Sequence, residues 1–153
     1  MAGVLERPLK GGFMSDKKTI DSLNRMLTQE HACAIRYATH AAVVSGPWAE
    51  AVGTRLKEIA TDEQLHAEKL RDRIVGLGGT PTMDVRREDL KPASTLTEII
   101  DVNVEEEKDA IRHYTEILES LSPANVILFQ TVQEILRDEQ EHMEELEALR
   151  VPE

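Results

Sequence analysis

The sequence predicts an all-α, antiparallel four-helix bundle with a long crossover between its second and third helices. Three observations support this prediction. Gly and Pro residues divide the 153 residues into four long segments, and each segment repeats apolar residues at steps of three and four. No segment alternates apolar and polar residues as a strand would. Steps of three and four place the apolar residues on one face of a helix, which each helix can bury against the others.

The chain divides into a short tail and one domain. Residues 1–14 contain three Gly and one Pro and have no apolar run of signal-peptide length, so they are predicted to form a flexible N-terminal tail. The bundle is predicted over residues 15–150. Its first helix is expected to begin at Ser15 or Asp16 and to end at Ser45-Gly46-Pro47, where the second helix begins.

The remaining helix ends follow from the same kinds of signal. Helix two is expected to end at the glycines between residues 76 and 79, and an extended connection then spans residues 80–94. Thr95-Leu96-Thr97-Glu98 is a capping box, which starts helix three. Ser122-Pro123 ends helix three and starts helix four, which ends near Arg150. Short turns make each hairpin antiparallel, whereas the long connection can cross the whole bundle and leaves helices two and three parallel.

Composition and charge limit the possible functions. Acidic residues outnumber basic residues by 29 to 18, for a net charge of −11, which disfavours nucleic acid and anionic membranes as partners and concentrates cations. No stretch is long and apolar enough to span a membrane. Because Cys33 is the single cysteine, an intrachain disulfide is impossible, so we expect a cytoplasmic protein. From its charge and hydropathy we expect it to bind neither nucleic acid nor membranes.

Each apolar face is interrupted near its middle by a carboxylate. In helices two and four a histidine follows three residues later, so both side chains project from one face. Glu105 and Glu106, next to Glu107, lie off the apolar face and are poorer candidates. We expect the whole set to meet at one level inside the bundle. The six residues, four Glu and two His, are Glu30, Glu63, His66, Glu107, Glu139 and His142.

The two halves of the chain repeat this pattern. Glu63-Gln64-Leu65-His66 on helix two matches Glu139-Gln140-Glu141-His142 on helix four, and an Asp precedes each motif. On helices one and three, a Tyr follows the lone Glu seven residues later. Two hairpins related by a pseudo-twofold axis would bring both halves together. The additional residues that match between the halves are Tyr37 and Tyr114, and Asp62 and Asp138.

Four buried carboxylates require compensation. Without cations they would repel each other and lose their hydration. Protonation relieves this in part, whereas two divalent cations would neutralise all four charges. The alternative, that each Glu-x-x-His is an ordinary solvated helix face, is disfavoured because the motif occurs twice, in phase with the apolar face. The sequence therefore predicts a dimetal site, and its ligand types suit Fe, Mn or Zn.

This ligand set resembles that of the ferritin-like di-iron carboxylate superfamily, in which two helices each provide a Glu and two each provide a Glu-x-x-His motif. Within that superfamily the chain is most similar to bacterioferritin. The resemblance covers residues 19–149. The segments that carry it, from helices one, two and four, are LNRMLTQEHACAIRYATHA, DEQLHAEKL and EILRDEQEHMEELE.

The resemblance implies that each chain binds two iron ions and oxidises Fe(II) with O₂ or peroxide, as a ferroxidase in iron storage or detoxification. The alternative is a di-iron or di-manganese oxidoreductase that forms no cage, such as a rubrerythrin-like or catalase-like peroxide-reducing protein. By this resemblance, the residues of one iron are Glu30 and His66, those of the other are Glu107 and His142, and the bridging residues are Glu63 and Glu139.

Four further residues are expected to hydrogen-bond to these ligands. Tyr37 and Tyr114 are predicted to donate to ligating carboxylates; ordinary core tyrosines are the alternative. Asp62 and Asp138 are predicted to accept the free N–H of a ligating histidine on the neighbouring helix; surface aspartates are the alternative. His31, His40 and His113 are expected to be structural or on the surface. Cys33 is expected to be a small buried hydrophobic residue.

Two departures from bacterioferritin bear on haem and assembly. Bacterioferritins bind haem between subunits through a Met directly after the Glu of helix two. Gln64 stands at that position here, so we expect no haem of that type. The family also has a short fifth helix, whereas only Val151-Pro152-Glu153 follow helix four, which disfavours a 24-subunit cage. The expected assembly is a homodimer or a larger homo-oligomer.

Overall fold

The computed structural model describes residues 16–150, which form four long α-helices and no strand. The predicted all-α bundle is therefore confirmed. None of the described helices is long and apolar enough to cross a membrane. The tail predicted over residues 1–14 and the segment 151–153 lie outside the described residues. The elements are α1 (Asp16–Val43), α2 (Ala49–Gly76), a 3-10 turn (Arg87–Asp89), α3 (Leu96–Ser120) and α4 (Val126–Ala148).

Local hydrogen bonds explain where two of the helices begin and end. At the start of α3, the side chain of Thr95 accepts from the N–H of Glu98, and the Glu98 side chain accepts from the N–H of Thr95. This is the predicted capping box. After α2, Gly78 adopts a φ of +83°, and the N–H of Gly79 donates to the carbonyl of Ile74. Only a residue without a Cβ adopts this φ readily, so glycine ends the helix here.

The connection between α2 and α3 runs along α1 from one end of the bundle to the other. Near the start of α1, the side-chain amide of Asn24 donates to the carbonyl of Thr80. In the middle of α1 the N–H of Arg86 donates to the carbonyl of Thr28, and near its end the His40 ring donates to the carbonyl of Lys91. The chain therefore crosses the bundle before α3 begins, so α3 runs parallel to α2. The connection is not extended throughout as predicted, because N–H groups at the 3-10 turn bond to carbonyls three residues earlier.

Two apolar clusters fill the bundle, one on each side of a polar layer. Along every helix, the carboxylate singled out in the sequence falls between residues of the two clusters. The apolar periodicity therefore builds a core that is divided at the level of the carboxylates. Large buried members of the first cluster are Leu23, Leu27, Leu70, Ile74, Tyr114 and Ile135. Those of the second cluster are Tyr37, Leu56, Ile59, Ile99, Ile100 and Leu146.

Candidate metal centre

The polar layer consists of the six Glu and His side chains that the sequence singles out, and the structure brings all six together. Each is exposed over 2% or less of its surface. Their ligand-type atoms fall into two groups, and within each group all atoms lie within 4.8 Å of one another. Glu63 and Glu139 belong to both groups. The groups are Glu30, Glu63, His66 and Glu139, and Glu63, Glu107, Glu139 and His142.

His66 faces three carboxylates with one ring nitrogen. Its Nδ1 lies 2.8 Å from Oε1 of Glu139 and 3.4 Å from Oε2 of Glu63. The same atom lies 3.7 Å from Oε2 of Glu30. The other ring nitrogen, Nε2, lies 3.0 Å from Oδ2 of Asp138 and can donate to it. With the proton on Nε2, Nδ1 is the nitrogen free to bind a metal ion.

His142 repeats this arrangement in the other half of the bundle. Its Nδ1 lies 3.3 Å from Oε1 of Glu63 and 3.9 Å from Oε1 of Glu107. Its Nε2 lies 3.1 Å from Oδ2 of Asp62, on the neighbouring helix. The rings of His142 and His66 are stacked, with centroids 6.0 Å apart. In both halves an aspartate of one helix fixes the histidine of the other.

Two buried tyrosines hydrogen-bond to the carboxylates of α1 and α3. Tyr37, on α1, donates to Oε1 of Glu107 on α3. Tyr114, on α3, donates to Oε1 of Glu30 on α1. The exchange of partners between the two helices follows the pseudo-twofold relation. Each tyrosine holds one carboxylate oxygen and leaves the second oxygen, Oε2, without a hydrogen bond.

Seven buried atoms of the polar layer have no hydrogen-bond partner among the described residues. A buried polar atom left unpaired costs about 1–3 kcal/mol, and more when it is charged. All seven belong to the six residues, so two divalent cations would both bind these atoms and neutralise the carboxylates. The residues present therefore fit a dimetal group. The atoms are Glu30 Oε2, both Glu63 oxygens, His66 Nδ1, Glu107 Oε2, Glu139 Oε1 and His142 Nδ1.

Protons substitute for cations in the metal-free layer. Burial and the charge of Glu63 raise the pKa of Glu30 to about 8. Burial and the charge of Glu107 raise the pKa of Glu139 well above its ordinary value. Burial disfavours the charged ring of His142, but the Glu63 carboxylate, 3.3 Å from its Nδ1, raises the pKa of His142 to about 9. An incoming metal ion must displace these protons.

We expect metal binding to release protons and to tighten as the pH rises toward about 9. Glu30 and His142 carry protons at neutral pH in the metal-free protein, and only their deprotonated forms bind metal. Calorimetric titration with Co(II) in buffers of different ionisation enthalpy counts the protons released. A count of zero at about pH 7 would contradict these pKa shifts.

The same shifts make the metal-free protein less stable at higher pH. Both groups have a higher pKa in the folded chain than in the unfolded chain. Their contribution is therefore present below the unfolded pKa and is lost as the pH rises through the folded pKa. The metal-free melting temperature should fall between about pH 5 and pH 9, and bound metal should reduce this fall.

The sequence analysis missed a second buried polar cluster, which lies beside the layer. We call it the Arg36 cluster: Arg36 and His40 on α1, Asn103 and Glu106 on α3, and Lys91 of the connection. Glu106, which the pattern places off the apolar face, is buried but pairs with Arg36 and Lys91. His40, expected to be structural or exposed, is buried and bonded to Asn103. The helical spacing of these polar residues on a second face was the signal that could have revealed them.

The chain matches a family model and curated relatives. The ferritin-like domain model matches residues 20–151. A bacterioferritin from Streptomyces coelicolor is 30% identical over 136 residues, which is 88% of this chain and 81% of that protein. A bacterial ferritin from Pseudomonas aeruginosa is 32% identical over 91 residues, 60% of this chain. That second match spans only 58% of the relative's length.

Solved structures show the same fold. A dodecameric thioferritin, a bacterioferritin-related protein from Bacteroides fragilis, is 29% identical with a TM-score of 0.83, over 90% of this chain and 86% of that one. A ferritin-like, diiron-carboxylate protein from Bacillus anthracis is 33% identical with a TM-score of 0.78, over 89% of this chain and 99% of that one. With a family model that matches residues 20–151 and a bacterioferritin relative aligned over most of its length, the chain belongs to the ferritin-like family.

Proposed function

We propose that the polar layer binds two metal ions and that the chain is a ferroxidase, which oxidises Fe(II) with O₂ or peroxide for iron storage or detoxification. The observation that carries this proposal is the set of seven unpaired atoms that converge between the four helices. Family membership with bacterioferritin relatives supports iron over Mn or Zn, which suit the same ligands. In the proposed assignment, Glu30 and His66 hold one ion, Glu107 and His142 hold the other, and Glu63 and Glu139 bridge them.

The chain's own groups prepare the layer for this chemistry. Two Fe(II) ions held there would each give up one electron, two in all, to one molecule of O₂ or peroxide. Asp138 can accept from Nε2–H of His66, which would leave Nδ1 as the nitrogen that binds the ion. Tyr114 holds one oxygen of Glu30 and leaves the other free. The apolar clusters above and below exclude water from the reacting level.

Aerobic loading of the metal-free protein with Fe(II) tests this function. Ferric absorbance and O₂ consumption should show a fast phase that saturates at about two iron ions per chain. The total iron retained then separates storage from the alternative: far more than two ions per chain in a large particle would indicate storage, whereas a total of no more than two ions per chain would favour the oxidoreductase without a cage. Oxidation no faster than in buffer, or equally fast with Glu63→Ala, would contradict the proposal.

We expect the protein to bind no haem of the bacterioferritin type. Gln64 follows Glu63 on α2 and is exposed, and its amide is a poor axial ligand compared with the Met of those proteins. The absorbance spectrum of the purified protein, before and after addition of haem, checks this expectation. A Soret band that disappears in the Gln64→Ala variant would contradict it.

We also propose that the chain forms at least a homodimer. The B. fragilis relative is a dodecamer, and α1 and α2 carry half-exposed apolar side chains, including Ile35 at 48% and Leu65 at 49%. Burial of such side chains favours association. Light scattering should give a mass of two or more chains, and a mass near 17.2 kDa at micromolar concentration would contradict this.

A further inference from the structure

The two sides of the polar layer, which the pseudo-twofold relation makes equivalent, differ in the residues that α1 and α3 place there. Helices α1 and α3 carry the Glu and Tyr of their halves at matching positions. The Arg36 cluster lies on one side of the layer, and the pseudo-twofold relation maps its helix positions onto different residue types on the other side. The corresponding pairs are Arg36 and His113, His40 and Ile117, Asn103 and Met26, and Glu106 and Gln29.

On one side of the layer, the connection and α3 hold the guanidinium of Arg36 in place. Its Nε donates to Oδ1 of Asn103 and its Nη1 to the carbonyl of Asp89, each at 2.9 Å. Oε2 of Glu106 lies 3.6 Å from Nη1. Asn103 is fixed in turn, because its Nδ2 donates to the carbonyl of Ile99 at 2.7 Å. The Arg36 side chain is only 1% exposed, so it is locked on several sides.

On the other side of the layer, the corresponding residues line a cavity of about 750 Å³. Gln29, Met26 and Ile117 line it together with His113. Within residues 16–150, no cation stacks on the ring of Tyr114. The two sides of the layer therefore carry matching Glu and Tyr residues, but a fixed arginine contacts the tyrosine on one side and a cavity lies at the equivalent position on the other.

A series of contacts leads from Arg36 to one carboxylate of the layer. Its guanidinium carbon lies 5.4 Å from the centroid of the Tyr37 ring, a distance typical of a cation–π contact. The hydroxyl of Tyr37 donates to Glu107. Because the guanidinium is fixed, the stacked ring keeps its orientation, and so does the carboxylate that its hydroxyl holds.

We propose that Arg36 is a positioning residue for one of the two metal positions. It acts through Tyr37 to orient Glu107, so the Glu107–His142 position depends on the Arg36 cluster. The Glu30–His66 position does not depend on it. This inference rests on the proposed dimetal function and adds that the two positions are inequivalent.

The Arg36→Lys variant tests this, because it keeps the charge and loses the planar fork. Co(II) titrations of the metal-free protein, followed by visible absorbance, report the affinity of each position. One affinity should fall about tenfold or more, as for other outer-shell changes, and the other should stay unchanged. Variants that retain only one metal position assign the effect. In the His66→Ala protein, which keeps the His142 position, adding Arg36→Lys should weaken Co(II) binding. In the His142→Ala protein, adding Arg36→Lys should leave Co(II) binding unchanged.

A double-mutant cycle tests the route through the tyrosine. Tyr37→Phe removes the hydroxyl and should reproduce the selective loss, and Arg36→Lys should then add nothing further. His113→Gln, at the pseudo-equivalent position, is the matched control and should leave both affinities unchanged. Asn103→Ala removes the acceptor that holds Arg36 and should give the same selective loss, so the test does not depend on whether Arg36→Lys folds.

The outcomes separate this inference from the proposed function. Equal weakening of both positions, unchanged affinities, or additive losses for Arg36→Lys and Tyr37→Phe would each overturn the positioning role. A wild-type protein that binds no pair of Co(II) ions would instead refute the dimetal site itself. Selective, non-additive loss at the Glu107–His142 position would support both.

Discussion

Replacing Glu63 by Ala is expected to remove both metal ions from the chain. Its Oε2 lies 3.4 Å from Nδ1 of His66 and its Oε1 lies 3.3 Å from Nδ1 of His142, so each oxygen faces a different half of the layer. One truncation then removes a ligand from each ion. Metal analysis after loading and dialysis should fall from about two ions per chain to nearly none.

Matched variants keep this result interpretable. Glu68→Ala changes an exposed carboxylate on the same helix and should retain both ions. Glu139→Ala should behave as Glu63→Ala does, because Glu139 also belongs to both ligand groups. One ion kept at full occupancy in both bridging variants would refute the bridging assignment.

Replacing Glu139 by Gln should raise the melting temperature of the metal-free protein while weakening metal binding. Burial and the charges of Glu107 and Glu63 raise the pKa of Glu139 well above its ordinary value, so the folded chain keeps a proton on this carboxyl at pH values where the unfolded chain has released it. Gln needs no proton. The stabilisation should therefore grow with pH, by at most about 1.4 kcal/mol per pH unit.

Calorimetry of the metal-free proteins at about pH 5 and pH 8 measures this effect. Each kcal/mol corresponds to about 4 °C for a domain of this size, so a shift of several degrees is expected at the higher pH. Glu141→Gln removes the same charge at an exposed position of α4 and is the control. A lower melting temperature for Glu139→Gln than for wild type would mean that the buried carboxylates do not strain the metal-free bundle.

The fold and the meeting of the six residues could be predicted because the signals are periodic and repeated. A charged residue such as Glu30 or Glu107 in the middle of an apolar face is costly unless it is compensated. The matched Glu-x-x-His motifs placed His66 and His142 at the same level. The structure brings these side chains together, while their roles as metal ligands stay a prediction.

Helical spacing alone could indicate only the members of the Arg36 cluster on α1 and α3, because the connection supplies the rest. The backbone carbonyl of Asp89 and the side chain of Lys91 reach it only because the connection runs along α1, which no helical period encodes. The observed start of α4 also differs from the predicted one, because a local turn comes before it. The sequence placed the start of α4 at Pro123, but a turn in which the N–H of Asn125 bonds to the carbonyl of Ser122 precedes it.

We expect the polar layer to reverse the usual order in which a helical bundle opens. Amide exchange is normally fastest at frayed helix ends and slowest in the middle. In this bundle the middle of every helix carries the unpaired and repelling groups, whereas apolar clusters hold the regions on either side. The metal-free protein should therefore exchange its mid-helix amides unusually fast. A bound pair of ions would turn this weakest level into a cross-link among all four helices, so exchange rates near Glu30 and Glu107 would report metal occupancy directly.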